Sequence, residues 1–435
     1  MNLKRLSLST TALASTAILT ACGGNQAESL SNLEVVTKVD EPVKIEFWHG
    51  MSGSLGEVLE SIIEDFNTGI GAEKGITVEG VYQGAYEDLK SKTMGAIKAG
   101  NNPAVVQGTV NNINEFIQSG YVQDLSPYIF HEEIGMSDFD DVYEVYRLEN
   151  SSYDEAGTIY SLAFSKSTDL FFYNDGFFKE HGLEIPTTWE ELVEVSKQAT
   201  EITGQPSFSI DNLPNFLITY LHQANAGYTN REGELLFNNE TMVEALTLLK
   251  ENIDKGYWRI PGEDKYSSGP FMSNTVQMYI GSSAGATYLT DEIEWEAATV
   301  PQLNVEKPKN IQQGNNIAIL NKNQSPEQVF GAYEFIKYLT STEGSLKWTT
   351  QTGYLPIRES VVQTEEYQTL LTQPHSSVKL AGVSTVENGF VEAIFSTDKI
   401  NSNMVRNEIG IMAEKIILTG ADIQEAINQC ESKLQ

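Results

Sequence analysis

The chain has 435 residues and a formal net charge of −32, with 60 acidic against 28 basic side chains. That excess repels polyanions, which argues against nucleic acid or anionic lipid as a partner; a small anionic ligand is not excluded, because salt screens a long-range field within roughly 8–10 Å. A 40% apolar and 10% aromatic composition fits globular folding, and the length accommodates two or three units that each bury a core.

The chain opens on a signal-like segment. Lys4 and Arg5 give a charged start, Ala12 to Leu19 a short, mostly apolar run, and the small Ala21 stands just before Cys22. The run is too short to span a bilayer. Leu19-Thr20-Ala21-Cys22 resembles the lipobox of bacterial lipoproteins, in which the cysteine is lipidated and becomes the new N-terminus. The resemblance implies a signal peptide over 1–21 and a protein anchored through Cys22 at the extracytoplasmic face of the cell membrane. Removing 1–21 takes away Lys4 and Arg5 and no acid, so −32 becomes −34, and Cys430 is left without a disulfide partner. Residues 22–42 are polar and aperiodic and read as a flexible tether with a root-mean-square span of roughly 25 Å.

The alternating Val43 to Trp48 predicts the first strand, and Ser54 to Asn67 a helix with Leu55, Val58, Leu59, Ile62, Ile63 and Phe66 at helical spacing. Ile76 to Val81 reads as a strand, Tyr86 to Ala99 as a helix, Ala104 to Gln107 as a short buried strand and Asn112 to Gln118 as a helical stretch. The pattern restarts after Ser161 to Phe164, with a strand over Leu170 to Tyr173 and a helix over Thr188 to Ala199. Thr241 to Ile253 is predicted helical, Val276 to Ile280 and Gly314 to Leu320 strands. Pro326 to Leu339 reads as a helix begun by Ser325, and Met404 to Leu418 as an amphipathic helix ended by Gly420. Strands alternating with helices imply βα units and a mainly parallel sheet, arranged here as two α/β lobes.

Chemistry is sparsely signalled. The five histidines are far apart and match no metal-ligand spacing, so no metal or cofactor is expected. Gly281-Ser282-Ser283-Ala284-Gly285 fits the G-x-S-x-G pattern of a nucleophile elbow, but the one histidine downstream, His375, sits in a polar loop without distinguishing context. The same Gly-Ser-Ser turn offers hydroxyls and backbone N–H groups to an anionic oxygen, or simply makes a tight turn.

Three stretches occur in the order found in a known family: Phe47-Trp48-His49-Gly50-Met51-Ser52-Gly53, Tyr82-Gln83-Gly84-Ala85-Tyr86 and Gln351-Thr352-Gly353-Tyr354-Leu355-Pro356-Ile357. The chain resembles the extracellular solute-binding proteins of ABC importers, and more narrowly their sn-glycerol-3-phosphate-binding branch, whose first strand reads F-W-H-x-M-x-G. The resemblance implies a two-lobed periplasmic-binding-protein-like α/β fold of class II with hinge-linked lobes. The first lobe is expected over 43–165 and 298–340, the second over 166–297 and 341–435. It further implies a non-enzymatic receptor, expected as a monomer, that closes on a small-molecule ligand and delivers it to transmembrane permease subunits.

Carried over residue by residue, the family's ligand positions fall on Tyr82, Ser167 in the crossover Phe164-Ser165-Lys166-Ser167-Thr168, Ser282 or Ser283, Gly314, Tyr354 and Arg406. Arginine suits phosphate because its fork of donors stays charged, and removing Arg406 is expected to weaken phosphate-ester binding with folding nearly unchanged. Two departures stand out. Val110 replaces a glutamate of the family, and Ile210-Asp211-Asn212-Leu213-Pro214 occupies the place of a tryptophan pair. The phosphate half of the site thus looks kept and the organic half altered. Glycerol 3-phosphate, a glycerophosphodiester, another phosphorylated polyol and an oligosaccharide all stay open.

Overall fold

Ten strands form one connected path of hydrogen bonds in the computed structural model, which describes residues 34–435. The signal-like segment, Cys22 and the first part of the expected tether lie outside the described residues. The strands are β1 (Val43–His49), β2 (Ile76–Tyr82), β3 (Val105–Gly108), β4 (Leu162–Asn174), β5 (Phe208–Ile210), β6 (Trp258–Arg259), β7 (Met278–Ser282), β8 (Trp295–Thr299), β9 (Asn310–Ile319) and β10 (Gly389–Phe390). Their order is β2-β1-β3-β9-β4-β7-β5-β6, with β10 added to β9 and β8 to β4. The β2-β1-β3 set is parallel, as is β7-β5-β6. Strands alternate with helices as the sequence pattern predicts, in two parallel sets joined through the antiparallel β9 and β4.

Each lobe has its own apolar core. The first packs Ile45, Phe47, Leu59, Phe66, Val105 and Phe335; the second packs Phe171, Trp189, Phe208, Trp258, Leu246 and Ile409. Trp348 and Tyr354 join the first core, and helix Thr342–Gln351 packs on helix Ser54–Thr68. Val35, Val36 and Val39 also pack, partly buried, against this core. The expectation of a flexible tether up to residue 42 is therefore corrected over Val35 to Val39: three valines placed beside an apolar wall leave water rather than trail through it. Local signals set the helix ends. Ser325 caps the helix Pro326–Leu339 in a reciprocal box with Gln328, and Asn401 caps the helix Ser402–Thr419, which Gly420 closes in the left-handed conformation.

β4 and β9 join the lobes. β4 is buried along its whole length; its first part pairs antiparallel with β9, and its last part runs between β7 and β8 in the second lobe. The middle of β4, Ser165 to Asp169, is polar as well as buried, so each group there needs a partner. Ser165 accepts from Gln107 at 3.3 Å, and the Thr168 hydroxyl donates to the Ile311 carbonyl at 2.8 Å. The Lys166 ammonium meets Glu149 at 2.6 Å, and Glu149 also accepts from Asn316 on β9 at 3.1 Å. Both partners of this ion pair are almost fully buried. Glu149→Ala would strand the ammonium, so unfolding free energy in urea should fall by about 3–5 kcal/mol. Replacing both residues by apolar ones of similar volume should cost much less. A loss under about 1 kcal/mol for Glu149→Ala, the range of an exposed pair, would mean that the pair does not hold the waist.

Candidate functional site

The carboxyl ends of the parallel strands in both lobes point at the gap between them, the place where open α/β sheets bind ligands. On the first lobe this edge carries His49 to Met51, Tyr82 to Tyr86 and Gly108 to Val110. The Gly50 N–H donates to Gln107 at 2.9 Å, and Gln107 in turn reaches Ser165, tying the rim to the crossover. Across the gap, helix Val110–Ile117 touches the second lobe. The Ser402 hydroxyl donates to Asn111 at 2.6 Å and the Asn114 amide to the Phe395 carbonyl at 3.2 Å. The lobes are thus already in contact at this edge.

The hinge loop brings Tyr354 to the centre. Its hydroxyl lies 3.2 Å from that of Tyr86, and burial raises both phenols above their usual pKa. The neighbouring Tyr288 and Tyr266 rings, each 67% exposed, add to the shift of Tyr86. Two features fix the loop. A side chain at Gly353 would lie 2.8 Å from the carbonyl oxygens of Ser283 and Ala284, so only glycine lets the loop come this close. From behind, the buried Lys379 ammonium donates to the carbonyls of Thr349, Thr352 and Tyr354 at 2.7–2.8 Å. Burial pushes Lys379 down to about 7, while three carbonyl acceptors, which call for three donors, oppose that shift.

The second lobe supplies the charged part. Arg406 lies one turn into helix Ser402–Thr419, past the free N–H groups of its first turn. Its Nη1 donates to both oxygens of Glu392 at 2.9 and 2.8 Å, and its Nη2 to the side-chain amide oxygen of Asn215. Asn215 donates onward to Asp169 at 2.9 Å, and Tyr228 donates to Glu392 at 2.6 Å. The pair is sheltered, with Arg406 13% and Glu392 14% exposed. Burial works against the guanidinium charge, but Glu392, Tyr228 and Asp169 outweigh it and hold Arg406 protonated. Asp169 is pushed up to about 6 by burial, with Asp211 adding to the shift and Asn215 opposing it.

The residues expected from the sequence thus fall into unlike settings. Tyr354 packs with the first-lobe core and Arg406 belongs to the second lobe; β4 runs between them, with Asp169 paired to Ser282. Ser282 is partly accessible, its oxygen accepting from the Ala284 N–H at 3.3 Å. Ser283 is fully buried and accepts from the Thr168 N–H at 3.3 Å, which makes it part of the scaffold. Ser167 is buried within the crossover. Gly314 has φ +103°, and a Cβ there would overlap the Ser165 carbonyl oxygen, so β9 itself requires the glycine. Tyr82 stands on the first-lobe rim, 52% exposed, its ring 6.4 Å from that of His49. The expectation that Arg406 is indifferent to folding is corrected: it is the counter-charge of the partly buried Glu392 and the buried Asp169. His375 stacks on Trp295, and its ring nitrogens meet the Trp295 carbonyl and Asp291, not Ser283. Among the described residues no group of three or more His, Cys, Asp or Glu could hold a metal ion, and no helix is long and apolar enough to cross a membrane.

Several groups escaped the sequence reading. Asp169, a second charge after Lys166 in a short polar stretch flanked by apolar residues, was a readable signal. Asn215 follows directly on the altered stretch 210–214 and takes up Arg406 there. Glu392 carries no local signal. Gln312 on β9 is buried against Gly389 with neither amide atom partnered among the described residues, which makes it a candidate ligand contact.

The Asp169 shift fixes a sign. A carboxyl with a folded pKa near 6 against 3.8 when free favours the fold most below pH 4, and that contribution is lost as pH rises through 6. Asp169→Asn should therefore stabilise the protein by roughly 1–3 kcal/mol at pH 7 and by almost nothing at pH 4. Denaturation curves at the two pH values check this; an equal effect at both would rule out a titrating Asp169.

With this geometry established, the similarities to known proteins fall into place. The family model for bacterial extracellular solute-binding proteins matches residues 61–373. The sn-glycerol-3-phosphate-binding periplasmic protein UgpB of Salmonella typhimurium is 26% identical over 329 residues, covering 72% of this chain and 74% of that protein. UgpB of Shigella dysenteriae is 25% identical over 348 residues, covering 76% of each. Among solved structures, UgpB of Mycobacterium tuberculosis in complex with glycerophosphocholine superposes with a TM-score of 0.78 at 19% identity, over 90% of this chain and 98% of that one. The cyclic α-maltosyl-1,6-maltose binding protein of Arthrobacter globiformis does so with a TM-score of 0.75 at 19% identity, with the same coverage. At such identities the structures bear on the fold, and it is the family model, matched over most of the chain, that assigns it: this protein belongs to the bacterial extracellular solute-binding proteins.

Proposed function

We propose that this chain is the substrate-binding subunit of an ABC importer, capturing glycerol 3-phosphate or a related glycerophosphodiester and presenting it to transmembrane permease subunits. The observation that carries the reading is Arg406, a sheltered guanidinium held in place by Glu392 and Asn215 on the cleft side of the second lobe. An arginine presents several donors in a rigid fork and binds phosphate oxygens without reorganising. Ser282 and the Tyr86–Tyr354 pair supply hydroxyls toward the other end of the gap. No bond in the ligand is made or broken. Specificity comes from how much better the closed form binds than the open one, with β4 and β9 as the bending elements.

A second reading has one observation in its favour. Tyr82, Tyr266 and Tyr288 expose large ring areas on and near the rim, and such rings stack on sugar faces, so an oligosaccharide is the alternative cargo. A thermal-shift screen of phosphate esters against maltose-type sugars separates the two. Stabilisation by sugars alone would replace the phosphate reading.

Lipid anchoring through Cys22 places the receptor beside its permease and is part of the same proposal. Cys22→Ser should abolish labelling by a fatty-acid analogue and release the protein from the membrane fraction; labelling that persists would place the anchor elsewhere. For the site itself, Arg406→Ala should weaken phosphate-ester binding at least ~100-fold by calorimetry and lower unfolding free energy by about 3–5 kcal/mol, because Glu392 and Asp169 lose their cation. Arg406→Lys should keep the fold while losing the fork. Unaltered affinity in Arg406→Ala would remove the phosphate assignment.

A further inference from the structure

The charge around Arg406 does not favour a doubly negative guest. Glu392 takes its Nη1, and Glu392 is no passing surface acid, since the buried Tyr228 hydroxyl anchors it independently at 2.6 Å. Asp169 lies one hydrogen-bonded residue away through Asn215. Asp211, at the end of β5, accepts from the Ser267 N–H at 2.6 Å and acts on Asp169. Two carboxyl groups, Glu392 directly and Asp169 through Asn215, therefore act on one guanidinium in this wall, with Asp211 behind Asp169. Lys309, close enough to act on His222, is turned to Asn225 at 3.0 Å. His222, stacked on Phe390 close to Glu392, is pushed down to about 4 by burial and stays neutral at pH 7.

We propose that Glu392 is a specificity-determining residue, which neutralises Arg406 so that the cleft selects a singly charged phosphodiester, above all one carrying a cationic head group, over a phosphomonoester dianion. The inference rests on the phosphate reading given above. A guanidinium has five N–H donors, and the contacts to Glu392 and Asn215 leave some of them for a single anionic oxygen. A second negative charge on the same phosphorus would meet Glu392 at close range in a partly dry site, where like charges repel strongly. A cationic head group would instead meet the partly exposed Glu392, with the half-buried Phe390 two residues away, and would feel the buried carboxyl of Asp169 behind Asn215.

The test is the ratio of affinities for two probes, glycerophosphocholine and glycerol 3-phosphate, measured by calorimetry at pH 7.5 on the full folded chain and on Glu392→Gln. The amide keeps the shape of the carboxylate and can still accept from Tyr228 and Arg406. The unaltered protein should prefer the diester at least ~10-fold, and Glu392→Gln should tighten glycerol 3-phosphate binding at least ~10-fold without tightening the diester. A purely structural role for Glu392 would move both affinities together. If Glu392→Gln proves unstable, glycerol 3-phosphate should raise its melting temperature more than it raises that of the unaltered protein, because the dianion replaces the missing counter-charge. Equal affinities for the two probes, or a ratio unchanged by the substitution, overturn the role of Glu392 and leave the phosphate reading standing. Binding of neither ester by either protein overturns both.

Discussion

The waist of this molecule is a strand that has to be buried and polar at once. β4 runs from one core to the other without surfacing, and between its apolar ends it carries Ser165, Lys166, Ser167, Thr168 and Asp169. A buried polar group without a partner is costly, so this stretch dictates much of what surrounds it. Gln107 is drawn in from the first lobe, Glu149 and Asn316 gather round Lys166, and Ser283 turns its oxygen to the Thr168 N–H. At the far end Asp169 recruits Asn215, which in turn holds Arg406 against Glu392. The order of the binding wall is thus inherited from the need to satisfy the crossover. For the same reason a site built on this strand and a hinge built on it cannot be altered independently.

Tyr354 is positioned by a comparable coupling. Lys379 lies on helix Ser377–Val386, whose Val378 packs in an apolar cluster with Leu170, Phe172 and Tyr279 of β4 and β7, yet its ammonium is spent on three carbonyls next to the end of the first-lobe helix Thr342–Gln351. Gly353 completes the arrangement by lying flat against the turn after β7. The hinge loop is held by groups from both sides of the waist. A change in lobe angle is therefore felt directly at the Tyr354 hydroxyl and its Tyr86 partner.

Hydrophobic periodicity made the lobes legible: Leu59, Ile62, Ile63 and Phe66 fall on the buried face of the first helix, and the helix Pro326–Leu339 matches its predicted bounds. Periodicity failed where burial is two-sided. β4 was read as two pieces because the polar middle breaks the apolar pattern, although its pairing is continuous through it. The site was legible in part. Arg406 and Tyr354 were named by resemblance, as were Gly314 and Ser283, for which backbone packing already gives a structural reason. Glu392 was invisible because its meaning lies in residues far away along the chain, Tyr228, Asn215 and Arg406, and no local pattern encodes such a meeting.

If the cargo is the phosphate ester proposed above, a chain with this much negative charge does not gather it by long-range attraction; the capture has to be local, by donors held ready in a sheltered place. That requirement carries its own difficulty, because a receptor must also be stable while empty. A bare guanidinium in a closed or half-closed cleft would be an uncompensated buried charge, costly in every unliganded molecule. Glu392 resolves this by giving Arg406 a permanent partner that is itself fixed by Tyr228, so the empty site needs no rearrangement to stay folded. Under the phosphate reading proposed above, the same solution narrows the cargo: a group that neutralises the arginine between captures also sets how much negative charge the next ligand can bring.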